Sequence, residues 1–196
     1  KKLLDDTVRL WAEWHGEKAI SDQRDAELIE NDEITIAGGE DGFAELLRNP
    51  NMYQKYKTQN QVLEEIIDNG LCNIANEVGT QKIGNPYREQ DVYAVESWYS
   101  FNSLDDYENN IISIENSYLG GPAATRKSET SMSAYVASKN SDLDAEITKA
   151  ISDARKAIRD IPAPFRDQVT KGKVATIDTA MDKLAELNKS LKKIKS

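Results

Sequence analysis

"SDLDAEITKAISDARKAIRDI", residues 141–161, places its apolar side chains at Leu143, Ile147, Ile151, Ala154, Ile158 and Ile161. Steps of three and four residues put all six on one face of a helix, with charged residues around the rest. Its limits are also written in the sequence. Ser141 and Asp144 read as a capping box with aspartate in place of the usual glutamate, and "PAPF" at 162–165 breaks the helix.

A helix with one oily face needs partners, and three more of the same kind follow from the pattern. Thr58 reads as the cap of a helix whose stripe is Leu63, Ile66, Ile67, Leu71, Ile74 and Val78. Gly70 falls inside it and weakens it by about 1 kcal/mol relative to alanine, which points to a close packing neighbour there. Ser103 reads as the cap of a helix carrying Leu104, Tyr107, Ile111, Ile114 and Tyr118, stopped by "GGP" at 120–122. The last runs from about Val174 to Ile194 with Ile177, Met181, Leu184, Leu187 and Leu191 on one side. Four such helices and no strand–helix alternation predict an all-α fold, an antiparallel helical bundle.

The remainder is less regular. Residues 1–18 predict an amphipathic helix with Leu3, Leu4, Val8, Trp11 and Trp14 in register, ending at or just before Gly16. "IENDEITIAGGEDG" at 29–42 suggests a loop with a brief extended piece, and "FAELLRNP" at 43–50 a short helix closed by Pro50. Residues 79–102, with "GNPY" inside them, read as a long connection of the kind that carries function. The expected organisation is a helix plus irregular segment over 1–57 and a C-terminal helical bundle over 58–196.

Composition narrows the function classes. The 196 residues are 39% apolar and 30% charged, which describes a folded globular chain. No apolar run approaches the roughly 20 residues of a membrane span. The net charge of −9 repels phosphate backbones, so nucleic-acid binding is not expected. The lysines of "KLAELNKSLKKIKS" at 183–196 complement the negative end of a helix dipole. Cys72 is the only cysteine and reads as a small buried thiol; His15 is the only histidine. One histidine supports neither a two-histidine zinc site nor H-E-x-x-H, and His15 and Glu17, two apart, point in different directions. There is no G-x-S-x-G elbow, and "IAGGEDG" at 36–42 lacks the lysine of a phosphate loop. No catalytic residue is assigned.

One stretch remains, "VESWYSFNSLDDYENNIISIENSYLGG" at 95–121. Asp106 and Asn110 are four apart and share one flank of the helix. Glu96, Ser97, Ser100 and Asn102 lie in the segment before it, where the chain can fold back over free backbone amides and the positive dipole end. Such oxygens suit a hard cation, a sugar or water-mediated binding better than proton transfer at neutral pH. The competing reading is structural: Ser103 and Asp106 match S-x-x-D capping.

These residues resemble the imelysin family. The likeness rests on "EVGTQKIGNPY", "VASKNSDLD", "AIRDIPAPFRDQV" and above all the block E-S-x-x-S-x-N-[ST]-x-x-D-[FY]-x-x-N-I ending in Y-L-G. Here that block is Glu96, Ser97, Ser100, Asn102, Ser103, Asp106, Tyr107, Asn110 and Ile111, then Tyr118, Leu119 and Gly120. The resemblance implies an all-helical protein of two bundle-like halves, exported to the periplasm or cell surface, commonly as a lipoprotein, and associated with iron-regulated uptake. The family was first described as metallopeptidases, with a G-x-H-x-x-E motif in the first half. No such motif occurs here: Glu13 stands where its glycine would precede His15, and Lys18 where its glutamate would fall. The chain looks like the second half of the family domain. Its implied partners are the first half and a small ligand or metal, with iron or another divalent metal bound jointly and any membrane attachment through an upstream lipid anchor. Glu96, Ser97, Ser100, Asn102, Asp106 and Asn110 are then expected to line a ligand surface.

Overall fold

The computed structural model describes residues 2–30, 39–50 and 56–195. The extended piece expected within 29–42 falls mostly at 31–38, outside the described residues. The chain divides into two compact units, Lys1–Glu64 and Glu65–Ser196.

In the first unit α1 (Lys2–His15), α2 (Gln23–Glu30) and α3 (Gly42–Arg48) surround a small core of Val8, Ala12 and Leu28 with Ile20 against it. Gly16 lies just past α1, as expected, at φ 84°. A side chain on it would collide with the backbone of Glu40 and Asp41, and one on Gly42 with that of His15 and Gly16. Two glycines therefore let α1 and the start of α3 meet backbone to backbone. The apolar stripe of α1 is buried only in part: Val8 is 9% exposed, whereas Leu3 is 80% exposed and Leu4, Trp11 and Trp14 also face outward. So small a core has no room for five large side chains.

The helical path that follows is longer than its sequence suggests; its residues 59–64 belong to the first unit and the remainder opens the second. α4 (Gln59–Glu65), capped by Thr58 Oγ1 accepting from the Gln61 N–H at 3.2 Å, leads into π-helical turns at Ile66–Cys72. Then come α5 (Asn73–Glu77), a second π-helical stretch at Val78–Gly84, and α6 (Asn85–Glu89). The connection expected over 79–102 is thus irregular only from residue 90. Pro86 does not break the path because it sits in the first turn of α6, where a missing N–H is tolerated. The wider turns also shift the buried stripe: Ile67, Leu71, Cys72, Ala75, Val78 and Ile83 face inward, while Leu63, Ile66 and Ile74 are only partly covered. The close neighbour expected at Gly70 is absent, since open space surrounds it. Close approach occurs at Gly79, where a Cβ would stand 3.1 Å from that of Leu184.

α7 (Ser103–Leu119), α8 (Met132–Lys139), α9 (Ser141–Arg159), α10 (Arg166–Val169) and α11 (Ala175–Lys192) complete the chain. Cross-links give the directions. Tyr118 OH donates to Asp144 Oδ1 at 2.8 Å and Arg155 Nη2 to Glu108 Oε1 at 2.9 Å, so α7 and α9 run antiparallel. Ser190 Oγ donates to Glu146 at 2.6 Å, which sets α11 against α9 in the same sense. Lys195 pairs with Asp68, and Gly79 meets Leu184, so α11 also runs counter to the first helical path. Tyr107 OH donates to the Lys82 carbonyl at 3.1 Å and ties α7 to that path. The result is an antiparallel four-helix bundle whose centre holds Tyr107, Ile111, Ile114, Tyr118, Ile147, Ile151, Ile158, Ile177, Leu184, Leu187 and Leu191, each at most 2% exposed.

Two caps differ from expectation. Asn140, not Ser141, caps α9 by accepting from the Leu143 N–H at 3.0 Å, because Asp144 turns inward to accept from Tyr118 and Ser133. At α7 Ser103 is the first helical residue and its hydroxyl donates back to the Glu96 carbonyl oxygen.

Candidate functional site at the leading end of α7

The loop 90–102 folds back over the start of α7. Asp91 opens it by accepting from the Tyr93 N–H at 2.8 Å. Ser97 and Phe101 then take left-handed backbone angles, φ 54° and 61°, which cost a non-glycine residue about 1–2 kcal/mol each. Between them the Phe101 N–H donates to the Ser97 carbonyl at 3.0 Å, closing a tight turn.

Asp106 holds that turn. One carboxylate oxygen accepts from Ser97 Oγ and the other from Asn102 Nδ2 at 2.9 Å. The S-x-x-D pattern therefore does not make a capping box; Asp106 reaches outward to the loop instead. Asn110 Nδ2 donates to the Asp106 carbonyl at 2.7 Å, one turn along the same flank, and Ser100 Oγ donates to the Ser97 carbonyl at 3.3 Å. Ser97, Ser100, Asn102, Asp106 and Asn110 are thus brought together as one hydrogen-bonded group.

Glu96 belongs to the neighbourhood but faces another partner. Its half-exposed carboxylate lies 3.2 Å from Lys82 Nζ, which also reaches Glu77 at 3.7 Å. Tyr107 sits fully buried beneath, and burial, with the Glu96 charge, pushes its phenol well above the ordinary tyrosine range, so it stays a neutral hydrogen-bond donor. Among the described residues no group of three or more His, Cys, Asp or Glu side chains converges as a metal cluster. The site is one ordered carboxylate with amides and hydroxyls beside it.

Sequence reasoning missed the aromatic side of this loop. Trp98 stacks on Tyr93 at 5.4 Å between centroids and meets Tyr99 edge-on at 4.6 Å. The Arg166 guanidinium lies 4.8 Å from the Trp98 ring centre and 3.9 Å from that of Phe101, and Nη1 donates to the Trp98 carbonyl at 3.1 Å. Four aromatics in "YAVESWYSF" were the available signal; their arginine comes from 65 or more positions away.

His15, the other residue weighed for chemistry, closes α1. Its ring stacks on Trp11 at 4.6 Å and Nδ1 lies 2.9 Å from the Trp11 carbonyl oxygen. Cys72 is buried, and burial raises its thiol pKa, as suits an inert side chain.

Comparison with known proteins agrees with this architecture. The imelysin family model matches residues 1–191. Iron-regulated protein A of Synechococcus elongatus is 30% identical over 144 residues, covering 70% of this chain and 38% of that protein. Among solved structures, an imelysin peptidase from Bacteroides ovatus superposes with a TM-score of 0.76 at 38% identity, covering 97% of this chain and 49% of the other. A protein from Parabacteroides distasonis assigned as an iron-regulated protein A precursor gives 0.72 at 34% identity, covering 79% and 46%. The chain spans under half the length of each of these relatives. With its all-helical bundle and the motif block built around Asp106, this chain belongs to the imelysin family.

Proposed function

We propose that this chain is a non-catalytic binding portion of an exported imelysin protein that serves iron handling, and that ligand is met at the leading end of α7. The observation that carries this reading is the arrangement of Asp106. Its carboxylate is fixed by Ser97 and Asn102 in a strained loop, and no lysine or arginine among the described residues forms an ion pair with it. A carboxylate ordered by neutral donors keeps its charge available to a cation, and its hard oxygens suit iron. Glu96 stands nearby on Lys82, whose displacement would free a second carboxylate. The iron connection follows the relatives named iron-regulated protein A, and export to the periplasm or cell surface follows the one assigned as a precursor. No helix of the described residues is long and apolar enough to cross a membrane.

The remaining ligands are supplied by a further helical part of a longer family domain. Support comes from the relatives' length and from the exposed apolar residues of α1. Isothermal titration with ferrous, ferric and zinc ions tests the binding reading. Heat with iron that Asp106→Asn abolishes supports it; no heat beyond dilution for any ion overturns it.

A second reading, metallopeptidase, is kept because the Bacteroides ovatus relative bears that description. Catalytic zinc takes three protein ligands and an open position, and this chain offers one histidine. Its zinc ligands would therefore lie mainly outside these residues. Chelator-sensitive peptide cleavage by a full-length protein would favour it over the binding reading.

A further inference from the structure

The aromatic face of the loop 90–102 adjoins the Asp106 group but has chemistry of its own. Tyr99 is 88% exposed, Tyr93 79% and Phe101 50%, the rings standing around the more sheltered Trp98. Single apolar residues at a surface are ordinary; adjoining rings on one ordered loop are a recognition feature. The loop is ordered at a cost, through the left-handed Ser97 and Phe101, the Ser97–Asp106 bond and the Arg166 bond to the Trp98 carbonyl. Rings presented in a fixed geometry lose little freedom on meeting a partner.

The surroundings of these rings also indicate what they meet. One cation is already seated among them: the Arg166 guanidinium packs against the faces of both Trp98 and Phe101. Along the loop and the residues flanking it the sequence carries Glu89, Asp91, Glu96, Asp105 and Asp106 against Arg88; Glu96 pairs with Lys82 and Asp167 with Arg166, and the whole chain carries −9. Exposed ring faces on an acidic chain are complementary to guanidinium and ammonium groups, through the ring quadrupole and through longer-range attraction. We propose that Tyr93 and Tyr99 form a docking surface for an arginine- or lysine-bearing segment of a partner protein. A cationic side chain lies on the exposed tyrosine faces as Arg166 lies on Trp98 and Phe101, and the negative charge of the chain draws the segment in.

The test uses the 196-residue chain and a fluorescein-labelled peptide of alternating arginine and glycine, followed by anisotropy at about 150 mM salt, where screening limits unspecific attraction. A glutamate–glycine peptide is the charge control. The double variant Tyr93→Ala/Tyr99→Ala leaves net charge unchanged, and its residues are exposed enough for the fold to persist, which circular dichroism checks. Saturable binding of the arginine peptide, weakened at least about tenfold in the double variant and unchanged in Tyr135→Ala, supports the proposal. No binding, equal binding by wild type and double variant, or an equal loss in Tyr135→Ala overturns it. The metal titration above reads the Asp106 carboxylate and the peptide assay reads the tyrosine rings, and the variants Asp106→Asn and Tyr93→Ala/Tyr99→Ala tell the two results apart.

Discussion

Replacing Asp106 with alanine separates the loop from the bundle in a way that can be worked out in advance. The substitution removes two hydrogen bonds to a charged acceptor, those from Ser97 Oγ and Asn102 Nδ2. Such bonds contribute about 1.5–3 kcal/mol each, and the lower value suits a half-buried carboxylate, so about 3 kcal/mol of restraint is lost. Opposing this, the freed loop releases the left-handed angles of Ser97 and Phe101, worth about 2 kcal/mol together. Global stability should therefore fall by only about 1 kcal/mol, a small shift of the urea midpoint with an unchanged slope. Local opening is another matter, because the strain favours opening in both proteins while the two bonds oppose it only in the wild type. The Phe101 N–H, bonded to the Ser97 carbonyl at 3.0 Å, should lose its local protection from hydrogen exchange outright, which the same balance of about 1 kcal/mol sets at about fivefold in the wild type, at 1.4 kcal/mol per factor of ten. Amides of the core residues Ile111 and Ile114 should follow only the small global change. Unaltered protection at Phe101, or a loss spread evenly through α7, would refute the assignment of Asp106 as the clamp of this loop.

Other consequences are more local. Gly70→Ala should raise stability by about 0.5–1 kcal/mol, since open space surrounds the site and alanine favours a helix. Gly84→Ala should instead destabilise, because its Cβ would stand 2.8 Å from the Gly79 carbonyl oxygen, and urea unfolding of the pair reads the contrast. For Glu115, burial pushes the carboxyl up but the Arg126 and Arg155 guanidiniums outweigh it and hold the group below the usual range. A depressed folded pKa gives stability that is present above the unfolded value, about 4.3, and lost as pH falls through the folded one. Glu115→Gln should therefore flatten the acid limb of the stability–pH curve below about pH 4; an unchanged limb would count against the ion-pair account. Cys72 should react with a thiol reagent far more slowly in the native chain than in urea, and fast native labelling would show that its helix opens readily.

The bundle was legible because burial obeys a simple period. On α7, α9 and α11 nearly every residue assigned to an apolar stripe is buried, and Leu104, Leu143 and Met181 are the partly covered exceptions. The first helical path resisted the same treatment, since two π-helical stretches change the period and no residue type announces them. They carry the helix through "GNPY", a string that reads as a breaker when a 3.6-residue repeat is assumed. Caps were half legible. Thr58 caps as its type suggests, whereas Ser103 and Asp144 have the right chemistry but are drawn to partners brought by the loop and by Tyr118. At the site, spacing placed Asp106 and Asn110 on one flank correctly. It had no means of assigning Glu96 to Lys82 or of finding Arg166, because both pairings depend on how distant helices lie in the bundle.

Mapping amide chemical shifts during a titration with zinc, a diamagnetic stand-in for ferrous iron, tests most directly whether the leading end of α7 is where ligand is met. The account predicts shifts concentrated at Ser97, Asn102, Asp106 and Asn110, and their loss in Asp106→Asn. Perturbations confined to other acidic stretches, such as Glu40 to Glu45, with the α7 loop silent, would contradict it.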